Sequence, residues 1–260
     1  MKRRFKFENA YLIFIFALLY LPIFYLIIYA FNKNGNMNAF TGFTFEYFQA
    51  LFADHRLILI VVQTFLLAFL SAFIATIIGT FGTIYIHQVK KKRQNTILSL
   101  NNVLLVSPDV MIGASFLILL TSIGFKLGFA SVLMAHIAFS IPIVVLMVLP
   151  RLQEMDQDMI NAAYDLGATQ RQTMTEVILP FLTPGIIAGF FMAFTYSLDD
   201  FAVTFFVTGN GFSTLSVEIY SRARQGISLE INALSALVFI LSILLVIGYY
   251  MIMRSADEDK

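Results

Sequence analysis

Apolar residues gather in six long stretches, at 11–31, 57–86, 103–122, 129–149, 184–208 and 231–253, separated by short polar connections. Each of the six holds about 20 residues or more, enough to cross the roughly 30 Å of a bilayer's hydrocarbon as a helix. In hydrocarbon every backbone amide must find an internal partner, and runs of this length are twice what a barrel strand needs, so all six are expected to be helices. The predicted class is an all-α membrane protein with six transmembrane helices. The second stretch corresponds to about 45 Å of helix, so it must tilt or extend beyond the membrane.

One polar interruption differs from the rest. Between Pro150 and Pro184 the chain turns charged and helix-forming. Met155, Met159, Ala162, Ala163 and Leu166 fall on one helical face, with Gln153, Gln157 and Asp165 elsewhere. Gly167 breaks that helix, and Thr169 followed by Gln172 reads as a capping box opening a second short one, which Pro180 should stop. The expected unit is a helix, turn and helix along one face of the membrane, offering apolar residues to a soluble partner. Spacing alone fits equally well an amphipathic helix that binds only lipid.

Composition agrees with the pattern. Hydrophobic residues make up 59% of the chain and charged residues 13%, and the mean hydropathy is +0.82. There is no cysteine, which excludes disulfides, thiolate metal sites and cysteine nucleophiles. The net charge of +1 says little, but its distribution says more. With both termini inside, twelve Lys and Arg residues lie on inner segments, against five outside: Lys33, Arg56, Lys126, Arg222 and Arg224. The run Lys90-Lys91-Lys92-Arg93 is the strongest anchor and reads as a topology signal rather than a nucleic-acid surface. This divides the chain into a cytoplasmic N-terminus at 1–10, a single six-helix transmembrane domain at 11–253 with its inner loop at 150–183, and a cytoplasmic tail at 254–260. The basic N-terminus followed by an apolar run resembles a signal peptide, but no small-residue cleavage site follows, so an uncleaved anchor is expected. Two longer outer loops, 32–56 and 209–230, stand out, and the turn-rich second is expected to be able to receive a soluble partner.

Candidate chemistry is confined to a few residues. Asp109, Asp199 and Asp200 lie in or at the edge of predicted spans, where a carboxylate costs about 3 kcal/mol on insertion scales, so each is expected to face the bundle interior or water. Asp199 should sit in the outer half of the membrane and Asp109 lower, near its middle. Consecutive residues on a helix point about 100° apart, so Asp199 and Asp200 cannot share one direction, and one of them is expected to be structural. Tyr196, Phe201 and Phe205 flank the acidic pair, and Tyr220 follows in the outer loop; aromatic faces beside carboxylates suit an organic cation. Ordinary packing explains most of the 28 phenylalanines, and a salt bridge to a neighbouring subunit is the alternative for the aspartates. His136 is read as a neutral interhelical hydrogen-bonding residue. With His55 and His87 it forms no metal-ligand spacing. No Walker lysine, nucleophile elbow or zinc motif occurs, so the chain is expected to be a conduit and not an enzyme.

The order Asn161-Ala162-Ala163, Gly167, Val177-Ile178-Leu179-Pro180 resembles the "EAA" motif of binding-protein-dependent ABC importer permeases. It departs at Asn161, where the family usually has Glu, and at Val177, where it usually has Ile. Further matches, among them Ser107-Pro108-Asp109, Ser197-Leu198-Asp199-Asp200, Phe206-Val207-Thr208-Gly209 and Asn232-Ala233-Leu234, are similar to the PotC-type spermidine/putrescine permease subfamily over nearly the whole chain. The resemblance implies a type I importer permease in a bacterial inner membrane, forming half of a polyamine pathway. It implies a sister permease, two copies of an ATPase that bind ATP and magnesium, and an external polyamine-binding protein, with no cofactor in this chain. It makes Asn161, Ala162, Ala163, Asp165, Gly167, Leu179 and Pro180 the coupling segment, and Asp109, Asp199, Asp200, Tyr196 and Tyr220 the candidate substrate pathway. An ABC permease for another small solute, a secondary transporter and an intramembrane aspartyl hydrolase using Asp109 with Asp199 remain as alternatives. The hydrolase reading lacks the flanking glycine and tyrosine signatures of such enzymes.

Overall fold

The structure is a computed structural model and describes residues 7–35, 37–225 and 229–258. Lys2, Arg3, Arg4, Lys6 and Lys260, which entered the orientation count, lie outside the described residues. The described residues are helical apart from loops and one isolated bridge between Asn32 and Phe43. Among the described residues five helices are long and apolar enough to cross a membrane, or six if a bent pair counts as one span. The chain divides into two compact units, residues 1–59 with 219–260, and residues 60–218.

The first unit contains α1 (Phe7–Tyr29), α2 (Glu46–Ala53) and α12 (Leu229–Glu258). Helix α1 leaves Phe14, Leu18 and Leu21 more than half exposed, as a helix solvated by lipid or by another chain must. Tyr20 and Phe24 of α1 meet Phe239 of α12 edge-on, with ring centroids 6.4 and 6.5 Å away. The loop after α1 is held by Asn32, whose side-chain amide donates to the Ala39 carbonyl at 2.8 Å and whose oxygen accepts from the Thr41 amide at 2.8 Å.

The second unit carries the rest of α3 (His55–Gln88), then α4 (Lys91–Val106), α5 (Asp109–Ser122), α6 (Phe129–Glu154), α7 (Gln157–Asp165), α8 (Gln170–Gln172), α9 (Leu179–Asp199) and α10 (Ala202–Val207). Helix α11 (Leu215–Gln225) starts in this unit and ends in the other. Close approach of helices here depends on small residues, because in lipid the gain comes from packing rather than water exclusion. A Cβ on Gly79 would lie 2.7 Å from the Val144 Cβ, and one on Gly113 would lie 2.9 Å from Phe206. Thus α3 closes on α6, and α5 on α10.

Three sequence expectations are corrected. The third apolar stretch, 103–122, is not one straight span: the chain bends by 103° between α4 and α5. Pro108 causes this, since it disfavours the helical region for Ser107, which sits extended at ψ 138°. The fifth stretch, 184–208, is also misplaced. Pro180 does not stop a helix; it occupies the first turn of α9, where a proline's missing amide is harmless. Helix runs continuously from Gln170 through a π-helical segment, Thr173–Ile178, to Asp199, and breaks at Asp200. Only α7 therefore stands apart from the spans, so the expected helix, turn and helix along the membrane face is half right.

Candidate substrate path and coupling loop

The break at Asp200 decides how the two adjacent carboxylates differ. Asp200 has an extended ψ of 124°, ending α9, and its carboxylate takes over the open amides of α10. Oδ1 accepts from the Val203 amide at 3.3 Å, while Oδ2 accepts from the Thr204 amide at 2.8 Å and from the Thr204 hydroxyl at 2.7 Å. His136 of α6 completes the arrangement, with Nε2 2.9 Å from Thr204 Oγ1 and 3.4 Å from Asp200 Oδ2. Its Nδ1 lies 2.6 Å from Ser197 Oγ, which is 2.9 Å from Ser71 Oγ of α3. Asp200 is only 9% exposed and His136 is fully buried. Asp199, one residue earlier and still helical, is exposed.

Tyr196 and Asp199 are three residues apart on α9 and so share a face. The Tyr196 hydroxyl donates to Asp109 Oδ1 at 2.7 Å. The bend before α5 makes this contact possible, because it puts Asp109 in a first helical turn, where carboxylates are favoured. Asp109 thus meets the side chain of Tyr196, which precedes Asp199 by about one turn of α9. Asp109 is half-buried and Tyr196 partly exposed, backed by Phe139 with ring centroids 5.0 Å apart. The structure therefore brings Asp109, Tyr196 and Asp199 together and turns Asp200 away into the protein. Tyr220 belongs to the other unit, where the Arg224 guanidinium lies 5.9 Å from its ring. Sequence reasoning did not single out Ser71 and Thr204, and quoted Ser197 only within the family resemblance, although all three hydroxyls surround His136; single hydroxyls among apolar residues carry no spacing signal.

The coupling candidates divide in two. Asn161, Ala162, Ala163 and Asp165 lie on α7, which buries no residue, whereas Leu179 and Pro180 open α9. Asp156 caps α7 by accepting from the Asp158 amide at 3.0 Å. Gly167 follows with φ +86°, a left-handed conformation that favours glycine. Thr169 and Gln172 form the expected capping box, the Thr169 amide donating to Gln172 Oε1 at 2.9 Å. The predicted apolar face is split. Met159 and Leu166 are exposed, Leu166 by 90%, whereas Met155 lies before α7 and packs with Ile160 on the core of α3, α6 and α9. Beside this footing is a cavity of about 250 Å³ whose lining includes His87, Met155, Gln157 and Tyr164.

The α7 loop lies exposed on a helical membrane unit, and comparison with known proteins gives the family. Residues 79–257 match the family described as "Binding-protein-dependent transport system inner membrane component". The chain belongs to this family. It is a multi-pass inner-membrane permease of an ABC importer, a transport subunit and not an enzyme, working with ATPase and binding-protein components. It is similar to the spermidine/putrescine transport system permease protein PotC of Haemophilus influenzae, at 33% identity over 98% of this chain and 99% of the relative. PotC of Escherichia coli K12 is 35% identical over 95% of this chain and 92% of its own length. The putrescine transport system permease protein PotI of the same organism is 31% identical over 94% and 89%. Among solved structures, a bacterial ABC transporter involved in import of the acidic polysaccharide alginate has a similar fold, with TM-score 0.73 and 17% identity, covering 94% of this chain and 92% of that one. The inward-facing MetNI methionine transporter has TM-score 0.65 at 21% identity, covering 76% and 95%.

Proposed function

We propose that this permease carries polyamines, and that Asp109, Tyr196 and Asp199 form the part of the pathway that its own chain supplies. The hydrogen bond from Tyr196 to Asp109, with Asp199 on the same helical face, carries the reading. Two spaced carboxylates beside an aromatic ring suit a flexible chain bearing several ammonium groups. The polyamine systems named for its relatives support the same cargo. Anions are disfavoured by the same carboxylates.

The working assembly is this chain with a sister permease, two ATPase subunits that bind ATP and magnesium, and an external binding protein. Six spans with both termini in the cytoplasm, 150–183 as the inner coupling loop and 254–260 as the inner tail put α7 beside the ATPase. In this reading Asn161, Ala162, Ala163 and Asp165 form the surface that the ATPase grips. Gly167 sets the angle at which α7 leaves, and Leu179 and Pro180 begin the helix that moves. Because helix is continuous from Gln170 to Asp199, a displacement at the loop is delivered along α9 to Asp199. Closure of the ATPases thereby opens the carboxylates to the outside, and reopening of the ATPases returns them to inward access.

The test is ATP-dependent uptake of labelled spermidine and putrescine by vesicles holding the reconstituted assembly. Uptake that requires ATP, and that Asp109→Asn or Asp199→Asn reduces at least tenfold with the assembly intact, is the expected result. Polyamine uptake unchanged in both variants would refute the pathway, and transport of a different solute would refute the cargo.

A further inference from the structure

The loop that follows α1 is pinned at the level where α1 ends, and it carries phenylalanine rings outward there. The apolar window of α1, Ala10–Tyr29, is 20 residues long, which as helix is about 30 Å, the thickness of a bilayer's hydrocarbon. The next residues go on coiling, the Phe31 amide donating to the Ile28 carbonyl at 3.2 Å and the Asn32 amide to the Tyr29 carbonyl at 3.1 Å. At about 2 Å of rise per residue in such tight turns, Asn32 stands about 6 Å beyond Tyr29. Phe43 pairs with Asn32 in the isolated bridge, flanked by the Lys33 amide donating to the Gly42 carbonyl at 3.0 Å and the Thr44 amide to the Phe31 carbonyl at 2.8 Å. The loop is therefore held in a layer as thick as the lipid headgroups, which extend about 5–7 Å beyond the hydrocarbon.

We propose that residues 39–53 form an interfacial anchor, with Phe40, Phe43, Phe45 and Phe52 inserted at the boundary of acyl chains and headgroups in the leaflet where α1 ends. All four rings are exposed, Phe43 by 62%. Their inner sides are packed: Phe31 lies 4.9 Å from Phe43, nearly parallel, and 4.9 Å from Phe48, while Phe43 meets Phe45 edge-on with centroids 4.9 Å apart. Phe40 rests against Tyr29 of α1 at 6.3 Å, so the cluster continues the apolar surface of that span. On α2, Phe48 and Phe52 share a face next to buried Leu51, with exposed Glu46 on the opposite side. Protein on one flank, water on another and rings between them is the pattern of a helix lying in an interface.

Height and charge both favour lipid as the occupant. An exposed apolar patch marks a protein or a membrane contact, and at this level a soluble protein covers the rings only by sinking into the headgroups. Between Ala30 and Phe45 the sequence has one charged residue, Lys33, and no carboxylate. Lys33 is exposed at the start of the loop, where a cation is drawn to lipid phosphates. The anchor fixes the height of the end of α1 and takes 39–53 out of the surface that a soluble partner reaches. It depends neither on the cargo nor on which side of the membrane α1 ends.

The experiment uses the intact transporter in nanodiscs of phosphatidylcholine and phosphatidylglycerol, where both membrane faces are open and orientation does not enter. The photoreactive amino acid p-benzoylphenylalanine replaces Phe43 or Phe52, exposed rings whose exchange leaves the backbone bonds of the loop in place. Irradiation is expected to join this chain to phospholipid at both positions, read as the added lipid mass on the peptide that carries the probe. Joining to the sister permease or the binding protein in place of lipid, or a position that yields no lipid adduct, overturns the proposal. Water access is measured separately, since the chain has no cysteine. Phe43→Cys should react with a water-soluble maleimide at least tenfold more slowly than Lys33→Cys. Equal rates overturn the insertion even where a lipid adduct forms.

Discussion

Asp199 and Asp200 are neighbours with opposite fates, and the cause is a single peptide. Helix persists through Asp199 and stops at Asp200, so one carboxylate keeps the direction of the α9 face while the other folds back onto the amides of α10. Asp199→Asn and Asp200→Asn should therefore fail differently. Losing Asp199 removes a charge-assisted contact of about 1.5–3 kcal/mol, so uptake falls by roughly tenfold or more while thermal stability is unchanged. Losing Asp200 lowers thermal stability of the purified assembly as well. Tyr196→Phe, which frees Asp109 of its donor but keeps the ring, should reduce uptake less than either carboxylate variant. An equal loss would give the hydroxyl a direct role with cargo.

At the scale of elements, α7 and its glycine hinge are a local design, and their sensitivity is conformational rather than steric. Nothing lies within 4 Å of a Cβ built on Gly167, but its φ of +86° strains any branched residue. Gly167→Val should cost roughly 1–2 kcal/mol at the hinge. The assembly should still form and hydrolyse ATP, with the number of polyamines moved per ATP falling severalfold; an unchanged ratio in vesicles would remove Gly167 from the coupling path. A second local device lies in the other unit, where Arg222 of α11 binds Asp54 Oδ2 at 2.7 Å and reaches Glu230 at 3.4 Å. The Arg222 guanidinium, aided by the Leu57 amide, holds the Asp54 carboxyl below its ordinary range. A lowered folded value means the clamp is complete above the unfolded carboxylate range near pH ~4 and is lost as pH falls through the folded value. Hydrogen exchange across α2 and the end of α11, corrected for its intrinsic pH dependence, should stay level from about pH 7 to 5 and rise only in stronger acid. Arg222→Gln should bring that rise to a higher pH.

Across the whole molecule, packing and orientation are the properties to test. Gly79→Leu forces α3 from α6, against a Val144 Cβ only 2.7 Å from the added carbon, and should lower stability by about 1–3 kcal/mol. Gly82→Leu meets nothing within 4 Å and should be tolerated, so a melting comparison of the two isolates the close approach. The chain has no cysteine, so a single one reports orientation directly. Lys91→Cys should resist a membrane-impermeant maleimide added to intact cells, while Lys33→Cys reacts. The reverse result would invert the proposed topology and remove α7 from the ATPase.

The sequence alone determined the all-helical membrane class, the exposed helical loop with its Gly167 break and capping box, and the three acidic residues worth examining. These follow from apolar run length, from local caps and from the cost of charge in lipid, all of which act over a few residues. It misjudged the third and fifth spans, because a proline reads alike whether it ends a helix, as before Asp109, or opens one, as Pro180 does. Which aspartate is exposed and which is buried, which tyrosine pairs with Asp109, and the hydroxyls gathered around His136 were decided only by tertiary structure. Those depend on where α3, α5, α6 and α9 meet, through contacts between residues 61 to 126 positions apart that no local pattern records.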